Sequence, residues 1–273
     1  MIEADLLPPL ITAGTRVSSM EGTIGTLGLL CWNGDGTPFA VTSALAVSPG
    51  AISEVESRGD VLPLEPALAL GATDRAGIKP IASLLAFIAI PDDISVSATL
   101  LGWDQAEQCW SLDAAEQEKL YIVRSNGSSD FGMLVARNAT ETFWIDGEAR
   151  QFYGAAEVEM LEGIDLEPGD AGSVVVTSTG APVGILLGAK QRTAIIAPLY
   201  EVLDDAGLLP LSTYDASAHR ERVRDRRWQR EMELRRQREL EAPVEDLERA
   251  MNSPGSSDEI MQRNMHLFEE EGA

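Results

Sequence analysis

From about residue 20 to residue 212 the apolar residues come in short runs of strand length, and turn-forming residues cut one run from the next. That punctuation predicts a body built mainly of β-strands. Gly25-Thr26-Leu27-Gly28-Leu29-Leu30-Cys31-Trp32 ends at Asn33-Gly34-Asp35-Gly36, a hairpin signal, and Phe39-Ala40-Val41-Thr42 reads as the returning strand. Further strand-like runs fall at residues 84–90, 121–123, 132–135, 173–177, 183–187 and 193–196. A polar stretch at 104–118 divides two halves, roughly 1–105 and 118–212. Residues 200–206 read as a short helix stopped by Gly207. No fixed-period repeat is present.

The character changes over residues 213–273. Residues 216–242 are dense in Arg, Glu, Gln, Met and Leu and contain neither Gly nor Pro, which predicts a helix. Trp228, Met232 and Leu240 give it a thin apolar stripe. Pro243 interrupts the pattern and can start a second short helix over 244–251. A break follows at 252–256, and Ser256 with Glu259 makes a capping-box pattern. Met261, Met265 and Phe268 then fall on one face of a last helix, at spacings of four and three.

Charge excludes several functions. The formal net charge is −23. Residues 219–273 hold 11 of the 21 basic residues and 14 of the 44 acidic ones, so the body ahead of them carries about −20. Such a surface repels nucleic-acid phosphates and anionic membranes and favours, at most, basic protein partners. The nine arginines of 220–238 are interleaved with Glu and Asp, which reads as a solvated helix or coiled-coil arm rather than a nucleic-acid binder. No run approaches the ~20 apolar residues of a membrane span. The start, Met1-Ile2-Glu3-Ala4-Asp5, is acidic and lacks the basic opening of a secretory signal. Cys31 and Cys109 are the two cysteines. A disulfide between them is open to the chain; two reduced core thiols in a cytoplasmic protein is the simpler expectation. Two cysteines and two late histidines make poor material for a zinc site, and neither a metal nor a cofactor is expected.

Four segments between about residues 23 and 208 resemble the trypsin-like serine peptidases of bacteria, of the intracellular kind without a disulfide framework. Gly25-Thr26-Leu27-Gly28 followed by Phe39-Ala40-Val41-Thr42-Ser43-Ala44-Leu45-Ala46-Val47 looks like the strand and turn that present the catalytic histidine. Leu84-Leu85-Ala86-Phe87-Ile88-Ala89 looks like the strand bearing the catalytic aspartate. Val123-Arg124-Ser125-Asn126-Gly127-Ser128-Ser129-Asp130-Phe131-Gly132 looks like the turn opening the second barrel. Pro168-Gly169-Asp170-Ala171-Gly172-Ser173-Val174-Val175 looks like the nucleophile loop, and Gly184-Ile185-Leu186-Leu187-Gly188 with Ala194-Ile195-Ile196-Ala197-Pro198-Leu199 looks like the strands beside the groove. Each piece alone is a weak signal; their order and spacing carry the resemblance. It implies a mainly β, two-barrel trypsin-like fold over 1–212, with a C-terminal α-helical extension.

Carried across residue by residue, the histidine position falls on Leu45, the aspartate on Leu85 (Leu84 one step away) and the serine on Ala171. The family chemistry needs a hydroxyl to attack, an imidazole to take its proton and a carboxylate to hold the imidazole. All three groups are absent from these positions. The only histidines, His219 and His266, belong to the tail. Ser43 and Ser173 flank the site, but strand alternation turns Ser173 away and no base serves it. Cys31 reads as packing, and Asp92 and Asp93 as a turn. Two leucines in place of a polar pair can bury each other at about 1.5–3 kcal/mol apiece.

The resemblance therefore implies a pseudoprotease that acts as a protein- or peptide-binding scaffold or as a regulatory subunit. Backbone amides around Gly169, Asp170 and Ala171 can keep an oxyanion-type pocket without a nucleophile. Lys190, Arg192 and Thr193 are candidates for the groove strand. Trp228, Met232, Leu240, Met261, Met265 and Phe268 are candidates for docking a partner or for self-association, unless that face packs on its own barrel. The alternative is a serine hydrolase in an inactivated form or with a non-standard site.

Overall fold

Along the first half of the chain the described residues form the strands β1 (Leu10–Ala13), β2 (Arg16–Ser19), β3 (Ile24–Thr26), β4 (Leu29–Trp32), β5 (Pro38–Ser43), β6 (Ser53–Ser57), β7 (Asp60–Leu64), β8 (Pro66–Ala67), β9 (Lys79–Pro80), β10 (Leu85–Ala89) and β11 (Ser95–Leu100), of which β4, β5 and β10 are the apolar runs. The second half forms β12 (Lys119–Val123), β13 (Ser129–Ile145), β14 (Glu148–Met160), β15 (Val174–Thr177), β16 (Pro182–Lys190), β17 (Thr193–Pro198), the helix α1 (Tyr200–Asp205) and β18 (Leu209–Pro210). These elements come from a computed structural model, which describes residues 10–19, 22–34, 36–47, 53–57, 60–64, 66–67, 78–91, 94–100, 108–161, 166–167, 169–211, 228–229, 232–233 and 235–236.

The chain is mainly β. The first half makes a five-stranded sheet in the order β18-β4-β5-β10-β8, a four-stranded sheet β3-β2-β6-β7, and the parallel pair β1-β11. In the second half, β13-β12-β15-β16-β17-β14 closes on itself, because β14 also pairs with β13; β9 joins the outer edge of β14. Full closure removes the open edges that a flat sheet would leave. The return of β18 to β4 ties the end of this unit back to its first half.

Alternation explains how the halves meet. On β4, Leu29 and Cys31 join one apolar cluster while Leu30 joins another. On β10, Leu85 and Phe87 go with the first pair, and Ala86 and Ile88 with Leu30. On β15, Val174 and Val176 enter the first cluster too, and Val175 enters a third. Successive side chains of a strand point to opposite faces. One face of each central strand therefore fills the core of its own half, and the other fills a core shared by both halves. This double burial is why these runs are continuously apolar rather than alternating.

The turns follow local chemistry. Asn33 Oδ1 accepts from the Thr37 N–H at 3.0 Å within the β4–β5 hairpin. Asp146 and Gly147, both at positive φ (54° and 77°), make the two-residue turn of the long β13–β14 hairpin. The helix α1 ends where Gly207 takes φ 62°, as expected. The 84–90 run begins later than expected as a strand, since 81–84 is a 3-10 turn and β10 starts at Leu85.

Residues divide into two compact units, Met1–Val223 and Arg224–Ala273. In the second unit Trp228, Gln229, Met232, Glu233, Arg235 and Arg236 are described, each helical and exposed. Leu240, Met261, Met265, Phe268, His219 and His266 lie outside the described residues, as do Asp92, Asp93 and the segments where a second and third tail helix and a break at 252–256 are expected.

Candidate functional site

Two glycines make the 169–173 loop possible. Gly169 and Gly172 both take left-handed φ, 106° and 96°. At Gly172 no side chain fits: a Cβ would lie 2.2 Å from the Thr26 carbonyl oxygen and 2.3 Å from Thr42 Oγ1. The loop is pinned on both sides. The Gly172 N–H donates to the Leu186 carbonyl at 2.8 Å, and the Leu186 N–H returns to the Ser173 carbonyl at 2.8 Å. From the first half, the Thr26 N–H donates to the Ala171 carbonyl at 2.9 Å and Thr26 Oγ1 donates to the Gly169 carbonyl at 2.6 Å.

Asp170 is buried and serves the loop itself. Its Oδ2 accepts from the Glu167 N–H at 2.8 Å and lies 3.4 Å from Arg124 Nη1. Arg124 also pairs with Asp130. A buried carboxylate is stable only when paired and hydrogen-bonded, and both conditions hold here. The Asp170 N–H donates to the Glu167 carbonyl at 3.1 Å. By contrast, the N–H groups of buried Gly169 and half-buried Ala171 donate to no described residue, on either side of an occupied amide.

The 44–46 turn of the first half lies close to this loop, with Gly25 between them. A Cβ on Gly25 would lie 2.1 Å from Ala46 Cβ and 2.9 Å from the Ala171 carbonyl oxygen. Bare backbone at Gly25 is thus the spacer between the 44–46 turn and the Ala171 loop. Leu45, in that turn, is half-buried and packs on the shared core; Leu85 is fully buried in the same core. Leu85 pairs with Ser43 across β10 and β5, and the Ala44 N–H donates to the Leu84 carbonyl at 2.7 Å. Leu84 also enters the shared core.

The two flanking serines are occupied or sealed. Ser43 Oγ accepts from the Leu45 N–H at 3.2 Å. Ser173 is fully buried and its Oγ has no hydrogen-bond partner, so no base reaches it. Cys31 and Cys109 are both free thiols. Burial pushes the Cys109 thiol up to about 12 and the Cys31 thiol higher still, with Cys109 adding a smaller push to Cys31. Neither is a thiolate nucleophile at neutral pH.

Lys190, Arg192 and Thr193 lie at the end of β16, in the turn and at the start of β17. The β16 strand passes the loop at Leu186, and Lys190 lies four residues on, a run of roughly 13 Å at strand rise. There Lys190 Nζ donates to Glu141 Oε1 at 2.7 Å and to Glu157 Oε1 at 3.0 Å. Arg192 donates to the Met160 and Leu161 carbonyls, and Thr193 opens β17. These residues brace the β16–β17 turn against the long hairpin. Among the described residues no group of three His, Cys, Asp or Glu could hold a metal ion, and no helix is long and apolar enough to cross a membrane.

Sequence reasoning missed Arg16, which lies beside Gly169, and the 129–160 hairpin. Nothing local marks Arg16. The Asp146-Gly147 pair between apolar runs is the signal that finds the hairpin.

No protein-family model matches the chain, and no curated protein matches it in sequence. Solved structures do match in three dimensions. A protease of Nocardiopsis superposes with a TM-score of 0.55 at 16% identity, covering 74% of this chain and 98% of that one. Thermobifida fusca protease A gives 0.53 at 13% identity, over 74% and 98%. Cellulomonas bogoriensis chymotrypsin gives 0.52 at 14% identity, over 74% and 99%. The fold is that of the trypsin-like serine proteases. Identity this low shows the architecture alone. Within that fold, Gly25 lies between the 44–46 turn and the Ala171 loop, and Leu45 and Leu85 both pack in the core shared by the two halves.

Proposed function

We propose that this chain is a catalytically inactive trypsin-like protein that binds a peptide or protein partner at the loop around Ala171. One observation supports the reading: the loop that by sequence resembles the family's nucleophile loop carries a methyl group at Ala171, between backbone amides of Gly169 and Ala171 that donate to no described residue. Leu45 and Leu85 support it, since both contribute hydrocarbon to the shared core. Loss of a complete triad costs on the order of 10⁶ in turnover, and a residual oxyanion site keeps only about 10³ over water. What such a loop can do without a nucleophile is hold a carbonyl or carboxylate by its amides. The tail, 213–273, would serve as the docking or self-association arm; its described Trp228 and Met232 are exposed.

The test is a fluorophosphonate probe followed by mass spectrometry, alongside turnover of a mixed peptide library. No serine is labelled and no peptide is cut if the reading holds. Covalent labelling of Ser43, Ser173 or any other serine, with turnover, would replace it by a hydrolase using a non-standard site. Loss of a captured partner on deleting residues 213–273 would assign the arm its role.

A further inference from the structure

We infer that Arg16 and the Gly169–Ala171 turn beside it form a carboxylate-binding site, selecting peptides that present a carboxylate there. This rests on the reading of that turn as a binding rather than a reacting site. Three features converge on it. The first is the pair of amides at buried Gly169 and half-buried Ala171, which have no partner among the described residues. Free N–H groups around a left-handed glycine form a concavity that suits an anion.

The second is Arg16. Its side chain is exposed, and its Nε lies 4.0 Å from the point a Cβ on Gly169 would occupy. Among the described cations of the body, Arg124, Arg137, Arg150 and Lys190 are in ion pairs. Arg192 is spent on carbonyls, and Lys119 sits over the Phe131 ring. Arg16 and Lys79 have no partner among the described residues, and of these Arg16 is the one against the turn. An arginine with no partner among the described residues stands out in a chain of net charge −23, whose carboxylates are abundant. The nearest acid of the turn, Asp170, is turned away to Arg124 and the Glu167 N–H.

The third is rigidity. Arg16 pairs with Thr26 across β2 and β3. Thr26 in turn holds the carbonyls of Gly169 and Ala171, at 2.6 and 2.9 Å. One strand pair therefore carries the cation and fixes the amides, so the donors are set in place before a ligand arrives. Gly169 has no Cβ to stand between them, and half-exposed Ile24 forms an apolar wall alongside. A carboxylate fits this donor set: one oxygen takes a backbone amide, the other takes the guanidinium at about 2.7–2.9 Å. No bond is made or broken.

The experiment is an amide NMR titration of the full chain with four probes: sodium acetate, N-acetyl-trialanine with a free C-terminus, the same peptide as its C-terminal amide, and the amide of N-acetyl-Ala-Glu-Ala. The acids shift the Gly169 and Ala171 amides and the Arg16 Nε–H in a saturable way, and the neutral peptide amide does not. The relative affinities of the free C-terminus and of the Glu side chain tell which carboxylate the site takes. Arg16→Gln weakens acid binding about tenfold or more, with the thermal midpoint unchanged, and Arg16→Lys keeps part of it. Equal binding of acid and amide, unchanged binding by Arg16→Gln, or no shift with any acid overturns the site. A peptide amide that binds as well as the acid would still leave the inactive reading standing, whereas serine labelling would remove that reading alone.

Discussion

Thr26 holds Ala171 from the opposite half of the molecule: its N–H donates to the Ala171 carbonyl at 2.9 Å, and its hydroxyl reaches on to the Gly169 carbonyl at 2.6 Å. The Thr26 carbonyl in turn accepts from Thr42 Oγ1 at 2.6 Å. Together with the Asp170 carboxylate, held by the Glu167 N–H and Arg124, these backbone and hydroxyl groups fix the loop conformation.

Thr26→Val keeps the shape and removes one donor to a buried carbonyl. The expected cost is about 1–3 kcal/mol in urea unfolding, with Thr26→Ser near wild type. Equal stability of the two variants would show that the hydroxyl contributes nothing.

Gly172→Ala places a Cβ about 2 Å from two oxygens and on a left-handed backbone, so it breaks the Thr42–Thr26 link and the loop together. Its expected loss exceeds about 3 kcal/mol. Gly147→Ala, also left-handed but with open space around it, costs about 1–2 kcal/mol. Thermal midpoints of the two variants check the difference.

Lys190→Met leaves the buried Glu141 carboxyl facing Glu157 without its cation. Lys190 is 54% exposed, so water softens the loss, and about 1–2 kcal/mol at pH 7 is expected. Burial already pushes Glu141 upward, against the hydrogen bond from Lys190 that lowers it. Without the lysine it rises further. A group raised in the folded state stabilises below its unfolded value, so the variant's deficit shrinks as pH falls from 7 towards 5. Urea midpoints at several pH values read this directly.

Both thiols are raised by burial, Cys109 from the usual 9.0 to about 12. Between these values the folded state holds protons that the unfolded chain has lost. Stability contributed by the thiols is complete below pH 9 and falls as pH rises towards 12. Replacing both cysteines by alanine flattens the alkaline limb of the stability curve. Native protein also reacts slowly with iodoacetamide at pH 8 and quickly in urea.

Ala171→Ser places a hydroxyl in the loop and is expected to confer no activity. No described residue carries an imidazole to take its proton; the chain's two histidines, His219 and His266, belong to the tail by sequence. Fluorophosphonate labelling of the variant at the rate of the wild type is the expected result. Rapid labelling at residue 171 would reveal a base supplied from elsewhere.

Short-range chemistry made much of the fold legible in the sequence. The Asn33–Gly36 turn, the strand runs, α1 and its stop at Gly207 all depend on neighbours along the chain, so composition and spacing suffice to find them. The hydrocarbon at Leu45, Leu85 and Ala171 was legible in the same way, as residue type. Tertiary structure alone decided the rest. Arg16 meets Gly169, Arg124 meets Asp170, and Lys190 meets Glu141 and Glu157 only after the sheets have closed and brought distant segments within a few ångströms. No local propensity encodes such meetings, because a charge reads the same in sequence whether it ends in water, in an ion pair or beside a free amide. The sequence determined which groups the chain possesses and which it lacks; packing across the two halves decided which of them face one another.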